Sequence, residues 1–196
     1  MTLYQVKICP LHPATAICIL FSSILFPGCA PEHSVQTQQR ASWHNNQGVV
    51  YMDQHNYTRA STEFKRAIQL YPTFAKGHTN LGIAFYSLGQ YDSAMVSLRT
   101  ALQHDHPDHL HAHYTLGLIY NAQGKEHEKA LKAFQTVLRS DPDDPLVHYY
   151  IGQVKAKLGD RQTAVEEFRT TIRLDPTNVS AHYALANQLR HLGQQE

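Results

Sequence analysis

Residues 75–94 read Ala-Lys-Gly-His-Thr-Asn-Leu-Gly-Ile-Ala-Phe-Tyr-Ser-Leu-Gly-Gln-Tyr-Asp-Ser-Ala, and this stretch decides the fold. Its apolar residues recur at helical spacing, not in the alternation of a strand. Gly89 separates two such runs, and glycine there permits the positive φ of a tight turn. The stretch predicts one helix, a turn, and the start of a second helix folding back on the first.

Working outward, the same unit recurs. Gly48, Gly82, Gly117 and Gly152, followed by Ala186 in the same role, are spaced by 34 or 35 residues. Seven residues after each comes a turn glycine, at Gly89, Gly124, Gly159 and Gly193; the first unit has His55-Asn56 there. The small residues Ala60, Ala94, Ala130 and Ala164 follow, and four positions on from each stand Phe64, Leu98, Phe134 and Phe168. The units close on Tyr71-Pro72, His106-Pro107, Asp141-Pro142 and Asp175-Pro176. Small residues let two antiparallel helices cross closely, with the large apolar residue filling the space between units. Proline ends the second helix because it lacks an N–H and disfavours helix in the residue before it.

This pattern resembles the tetratricopeptide repeat, with its leucine-glycine pair, its A-x3-F and its closing proline at a period of 34. The resemblance covers residues 41–192 and implies an all-α, right-handed superhelical solenoid of helix-turn-helix units. Helices are predicted over 42–54, 57–70, 75–88, 91–104, 110–123, 127–139, 145–158, 161–174 and 179–192. Four repeats and a C-terminal capping helix then make up a domain over 41–196. Terminal repeats need a polar outer face, and Asn187, Arg190 and His191 lie off the apolar stripe of the last helix.

The N-terminal segment reads as a targeting signal. Lys7 precedes an apolar run from Ala14 to Phe26 that is too short to span a bilayer core as a helix. The run ends Leu25-Phe26-Pro27-Gly28-Cys29, which resembles the lipobox of bacterial lipoproteins. The resemblance implies a signal peptide over 1–28, lipidation of Cys29, and a place in the bacterial envelope, on the outer membrane facing the periplasm. Residues 29–40 are expected to form a flexible tether, since only Val35 among them is large and aliphatic. Cys9, Cys18 and Cys29 are the only thiols, so the repeats use neither disulfides nor cysteine metal ligands.

Lys plus Arg is 17 and Asp plus Glu is 16, a balance that does not suit a nucleic-acid binder. No nucleophile elbow, phosphate-cradling loop or H-E-x-x-H motif is present, and the glycines are accounted for by the repeat, so no enzymatic activity or cofactor is expected. In the repeat family the first helices line a concave groove, and the register carries that role onto named residues here. Unit one supplies Asn45, Val49 and Met52; unit two Lys76, Thr79, Ile83 and Tyr86; unit three His111, Tyr114, Leu118 and Asn121. Unit four supplies Tyr149, Gln153 and Lys157, and the capping helix Tyr183, Asn187 and Arg190. The expected partners are other envelope proteins or peptide segments, with assembly of an envelope complex such as a pilus or secretion system as one such role.

His44, His78, His113, His148 and His182 share one repeat position, and each is expected to pack its ring while keeping a polar edge wet. The junction from His104 to His113 differs, with five histidines and two aspartates in ten residues. His104, His106, His109 and His111 are the candidate ligands for an alternative reading, a periplasmic protein binding zinc or nickel.

Overall fold

The computed structural model describes residues 33–104 and 109–193. Among the described residues there are nine α-helices and no strand. Helices α1 (His33–Asp53) and α2 (Tyr57–Leu70) make unit one, α3 (Ala75–Ser87) and α4 (Tyr91–His104) unit two, and α5 (Leu110–Gln123) and α6 (His127–Ser140) unit three. Unit four is α7 (Pro145–Lys157) and α8 (Arg161–Leu174), and α9 (Val179–His191) follows it. The chain forms an all-α solenoid in which each helix pair packs on the next. None of the described helices is long and apolar enough to cross a membrane.

The repeat glycines sit where the two helices of a unit cross. A Cβ on Gly117 would lie 2.5 Å from the Phe134 ring, and one on Gly152 2.7 Å from the Phe168 ring. Phe64, Phe134, Phe168 and Leu98 are buried at these crossings together with the alanines four residues before them. The starts of α2, α7, α8 and α9 carry side-chain caps. Asp144 Oδ1 accepts from the Leu146 and Val147 N–H groups, and Asn178 Oδ1 accepts from the Ala181 N–H.

The inter-helix turns of units two to four use glycine at φ near 70–80°, as at Gly124 with φ 67°. Unit one places His55 there instead, at φ 56°, the only non-glycine among the described residues with positive φ. A side chain in that conformation costs about 1 kcal/mol relative to glycine. His55→Gly is therefore expected to raise stability by roughly 0.5–1 kcal/mol, read as a higher urea midpoint at unchanged slope. No rise in the midpoint would mean that the exposed His55–Tyr57 hydrogen bond, 2.9 Å, offsets the strain.

One boundary departs from the sequence expectation. The tether was expected over 29–40, but residues 33–40 continue α1 as helix. Segment 33–40 contains neither proline nor glycine and is rich in glutamine, which propagates helix at little cost. Ala41, fully buried, anchors the helix from which it extends. The signal segment 1–28, Cys29 and the remainder of the tether lie outside the described residues.

Candidate functional site

The curvature of the solenoid follows from its contacts. Successive first helices touch one another (α1 with α3, α3 with α5, α5 with α7, α7 with α9), whereas the described second helices touch only helices adjacent in the chain. The first helices therefore lie on the inner side and form the concave face.

Most of the groove set reaches that face. Val49 is 38% exposed and Met52, Ile83, Tyr86 and Leu118 are half-buried, giving the N-terminal half an apolar lining. Lys76 and His111 are exposed at the starts of α3 and α5. Thr79 is corrected: at 2% exposure it is part of a packed seam, where its hydroxyl has no hydrogen-bond partner. Asn45 is likewise buried and accepts from the Asn80 side chain at 2.8 Å. Neither can be a contact residue.

The C-terminal half has a polar floor. The Lys157 ammonium donates to the Asn121 side-chain oxygen at 2.6 Å and to its backbone carbonyl at 2.8 Å. The Asn121 amide donates to Gln153 Oε1 at 3.1 Å, and the Gln153 amide donates to the Tyr149 hydroxyl at 2.8 Å. Asn121 is itself buried, so it fixes Lys157 and Gln153 and does not face a ligand. Partial burial lowers the Lys157 pKa from its ordinary value, by desolvation of the ammonium. Beyond this floor a cleft of about 690 Å³ opens between α7 and α9, lined by Tyr149, Gln153, Lys157, Tyr183 and Asn187, with no aspartate or glutamate in its lining. Arg190 continues it, holding the Asn187 side chain at 2.8 Å.

The three tyrosines at one repeat position have different surroundings. Tyr114 meets the Phe134 ring edge-on at 6.2 Å, and Tyr149 packs at 5.8 Å against Phe168. Burial, with Tyr150 and Asp144 nearby, raises the Tyr114 pKa well above the usual phenol range. Burial also raises that of Tyr86. Tyr183 is 76% exposed, because among the described residues no second helix follows α9 to cover it. Tyr114 thus belongs mainly to the packing, Tyr149 to both packing and floor, and Tyr183 to the open surface.

The repeat histidines are structural, for a reason that one sequence position alone could not show. His78, His148 and His182 each place Nε2 within 2.8–3.0 Å of the carbonyl of the proline that closes the preceding unit. His44 and His148 place Nδ1 2.7 Å from Glu63 and Glu167, on the second helix of their own units. The histidine therefore ties a first helix to the turn before it and, in two units, to the helix after it. The signal in the sequence was a glutamate nineteen residues after the histidine in those two units.

Among the described residues the junction histidines do not converge on a common point. His104 lies beside His78, ring centroids 6.3 Å apart, and the His109 and His111 rings meet edge-on at 6.3 Å. Among the described residues no three histidine, cysteine, aspartate or glutamate side chains group closely enough to hold a metal ion. His106 lies outside the described residues.

Models of the tetratricopeptide repeat match residues 48–89, 79–145, 147–178 and 167–196, which together run from within α1 to beyond α9. The chain belongs to the tetratricopeptide repeat family. As a tetratricopeptide protein it is 32% identical over 114 residues to small glutamine-rich tetratricopeptide repeat-containing protein 2 of Saccharomyces cerevisiae, covering 58% of this chain and 32% of that protein. It is 31% identical over 97 residues to protein O-mannosyl-transferase Tmtc3 of Drosophila melanogaster, covering 50% of this chain and 10% of that one. The match thus spans about a third or less of these relatives, so it extends the repeats and not the relatives' activities. Among solved structures, MamA from Desulfovibrio magneticus RS-1 superposes with a TM-score of 0.72 at 19% identity, over 79% of this chain and 86% of that one. That likeness is one of fold.

Proposed function

We propose that the protein is a scaffold that holds a segment of another protein across its concave face, chiefly in the C-terminal half. The observation that carries this reading is the cleft between α7 and α9. It has exposed cations at Lys157 and Arg190, amides at Gln153 and Asn187, an open aromatic at Tyr183, and no carboxylate in its lining. Tyrosine and arginine carry binding energy well because they offer large contact area with a polar edge. An extended segment bearing aspartate or glutamate beside an apolar residue suits this lining by charge and by shape.

The envelope setting is proposed from the sequence at Ala14–Cys29, which supports a lipid anchor at Cys29 and partners among envelope proteins, as in assembly of a pilus or secretion complex. The test is affinity capture from extracts of the source organism, with the parent protein and with Lys157→Glu combined with Arg190→Glu. Partners bound in the cleft should be recovered at least about tenfold less with the double variant. Equal recovery of the same proteins by both would overturn the assignment of the cleft.

A further inference from the structure

The repeat supplies its own ruler for the two ends of the solenoid. Each first helix has two positions that face the preceding unit. In units two to four, and in α9, the earlier position is Gly77, Ala112, Val147 and Ala181, and the later one is Ala84, Ile119, Val154 and Gln188. All are buried, and a Cβ on Gly77 would lie 3.1 Å from Ile68 of the preceding second helix. In α1 the same two positions are Trp43 and Val50, and they are 58% and 47% exposed. Val35, two turns before Trp43 on the same side of the helix, is 60% exposed. A face shaped throughout the molecule to receive a helix stands open at its N-terminal end. Val35, Trp43 and Val50 expose apolar surface there, where a terminal repeat ordinarily needs a polar one.

The order of residues along this face says what fits it. Between Val35 and Val50 the face also carries Gln39 and Asn46, both exposed. Val35 and Val50 lie equally far from the midpoint between Ser42 and Trp43, and so do Gln39 and Asn46. A twofold axis at that midpoint, with two copies of α1 antiparallel, sets Val35 opposite Val50, Gln39 opposite Asn46, and the two Trp43 rings side by side at the centre. The amides can then donate to and accept from one another across the axis. Between Val35 and Val50 the only formal charge on α1 is Arg40, at the flank of this face; in the antiparallel pair it stands opposite position 45 and not opposite its own copy, so no like charges meet directly across the axis. An isologous contact requires this kind of self-complementarity.

The geometry points to a second copy of this chain as the occupant: two protomers pair through antiparallel α1 helices about Trp43. The surface is distinct from the concave groove, so both grooves stay open in the pair, and the assembly presents two partner-binding clefts. A single helix pair falls below the ~1,200 Å² of a standard stable interface, so copies separate on dilution.

Trp43 is the only tryptophan in the chain, so its fluorescence reports on this face alone. The experiment records tryptophan emission and molar mass of the full chain across a dilution series from nanomolar to hundreds of micromolar. The expected result is a blue shift of the emission with rising concentration, in step with a doubling of mass. Val35→Glu and Val50→Glu should abolish both while leaving the melting temperature unchanged, since both residues are exposed. Gln39→Lys with Asn46→Lys should also dissolve the pair. Gln39→Glu with Asn46→Lys should preserve it, because opposite charges then face each other only in the antiparallel register. A monomer mass with solvated tryptophan at every concentration would overturn the proposal. So would a blue shift independent of concentration, which would mean that residues 1–32 cover the face, or one seen only with phosphatidylglycerol vesicles. Failure of the groove variants to lose their partners would leave this result untouched, since neither set of substitutions reaches the other surface.

Discussion

Replacing Phe134 by alanine is expected to lower the free energy of unfolding by about 3–5 kcal/mol, the range for deleting a buried ring. Phe134 has no exposed surface. Its ring stacks on Tyr150 at 5.8 Å with an interplanar angle of 10°, and receives the edge of Tyr114. Tyr150 lies on α7, so the ring joins unit three to unit four as well as the two helices of unit three. Neighbouring aromatics held by packing and backbone cannot collapse fully into the void, which places the cost toward the upper end. The loss should also change the shape of the transition. Repeat stability is approximately a sum over units and nearest-neighbour interfaces. Weakening one interior interface should therefore let the two halves unfold at separate urea concentrations. Far-ultraviolet circular dichroism through a urea titration measures both effects. A single unshifted transition would contradict the packing described here.

Gly117→Val is expected to cost about 2–3 kcal/mol, from overpacking alone. Valine forms helix somewhat better than glycine, so local propensity favours the variant by a few tenths of a kcal/mol. The sterics outweigh that gain, because the Cβ already falls 2.5 Å from the Phe134 ring before the two methyls are added. The decisive measurement is the double-mutant cycle. With Phe134→Ala in place, the valine methyls occupy space the ring has vacated. The combined loss should then fall short of the sum of the single losses by about 1–3 kcal/mol, the coupling expected of residues in contact. Additive losses would show that the glycine and the ring do not share that space.

The helices were legible in the sequence because each is specified twice, by its own periodicity and by its copies. α2 to α9 lie within a residue of their expected bounds. The start of α1 was not legible, because residues 33–40 carry little apolar surface to bury. Helix propagated from a buried anchor at Ala41 needs only the absence of a breaker. In the groove, the repeat register identified which side of a helix faces inward but not how deep each side chain sits. Thr79 and Tyr183 occupy one register position, yet one is sealed in a seam and the other stands open beyond the last second helix. Asn121 is the residue whose role was least legible. It was expected to contact a partner, but it is held by residues 32 and 36 positions away and orients them instead. Links of that length belong to the superhelical stacking and leave no local trace in the chain. The exposed Trp43 does have a trace in the sequence, since small or buried residues fill its repeat position in the other units.

The central claim is that the C-terminal half of the concave face holds another protein. Site-specific photocrosslinking tests it most directly, with the reactive group placed at Tyr183, 76% exposed beside the cleft, and in a second sample at Val96, 66% exposed on α4. The account expects a discrete adduct from Tyr183, lost when Lys157→Glu and Arg190→Glu are added, and none from Val96. Adducts of equal yield from both sites, unaffected by the two charge reversals, would contradict it.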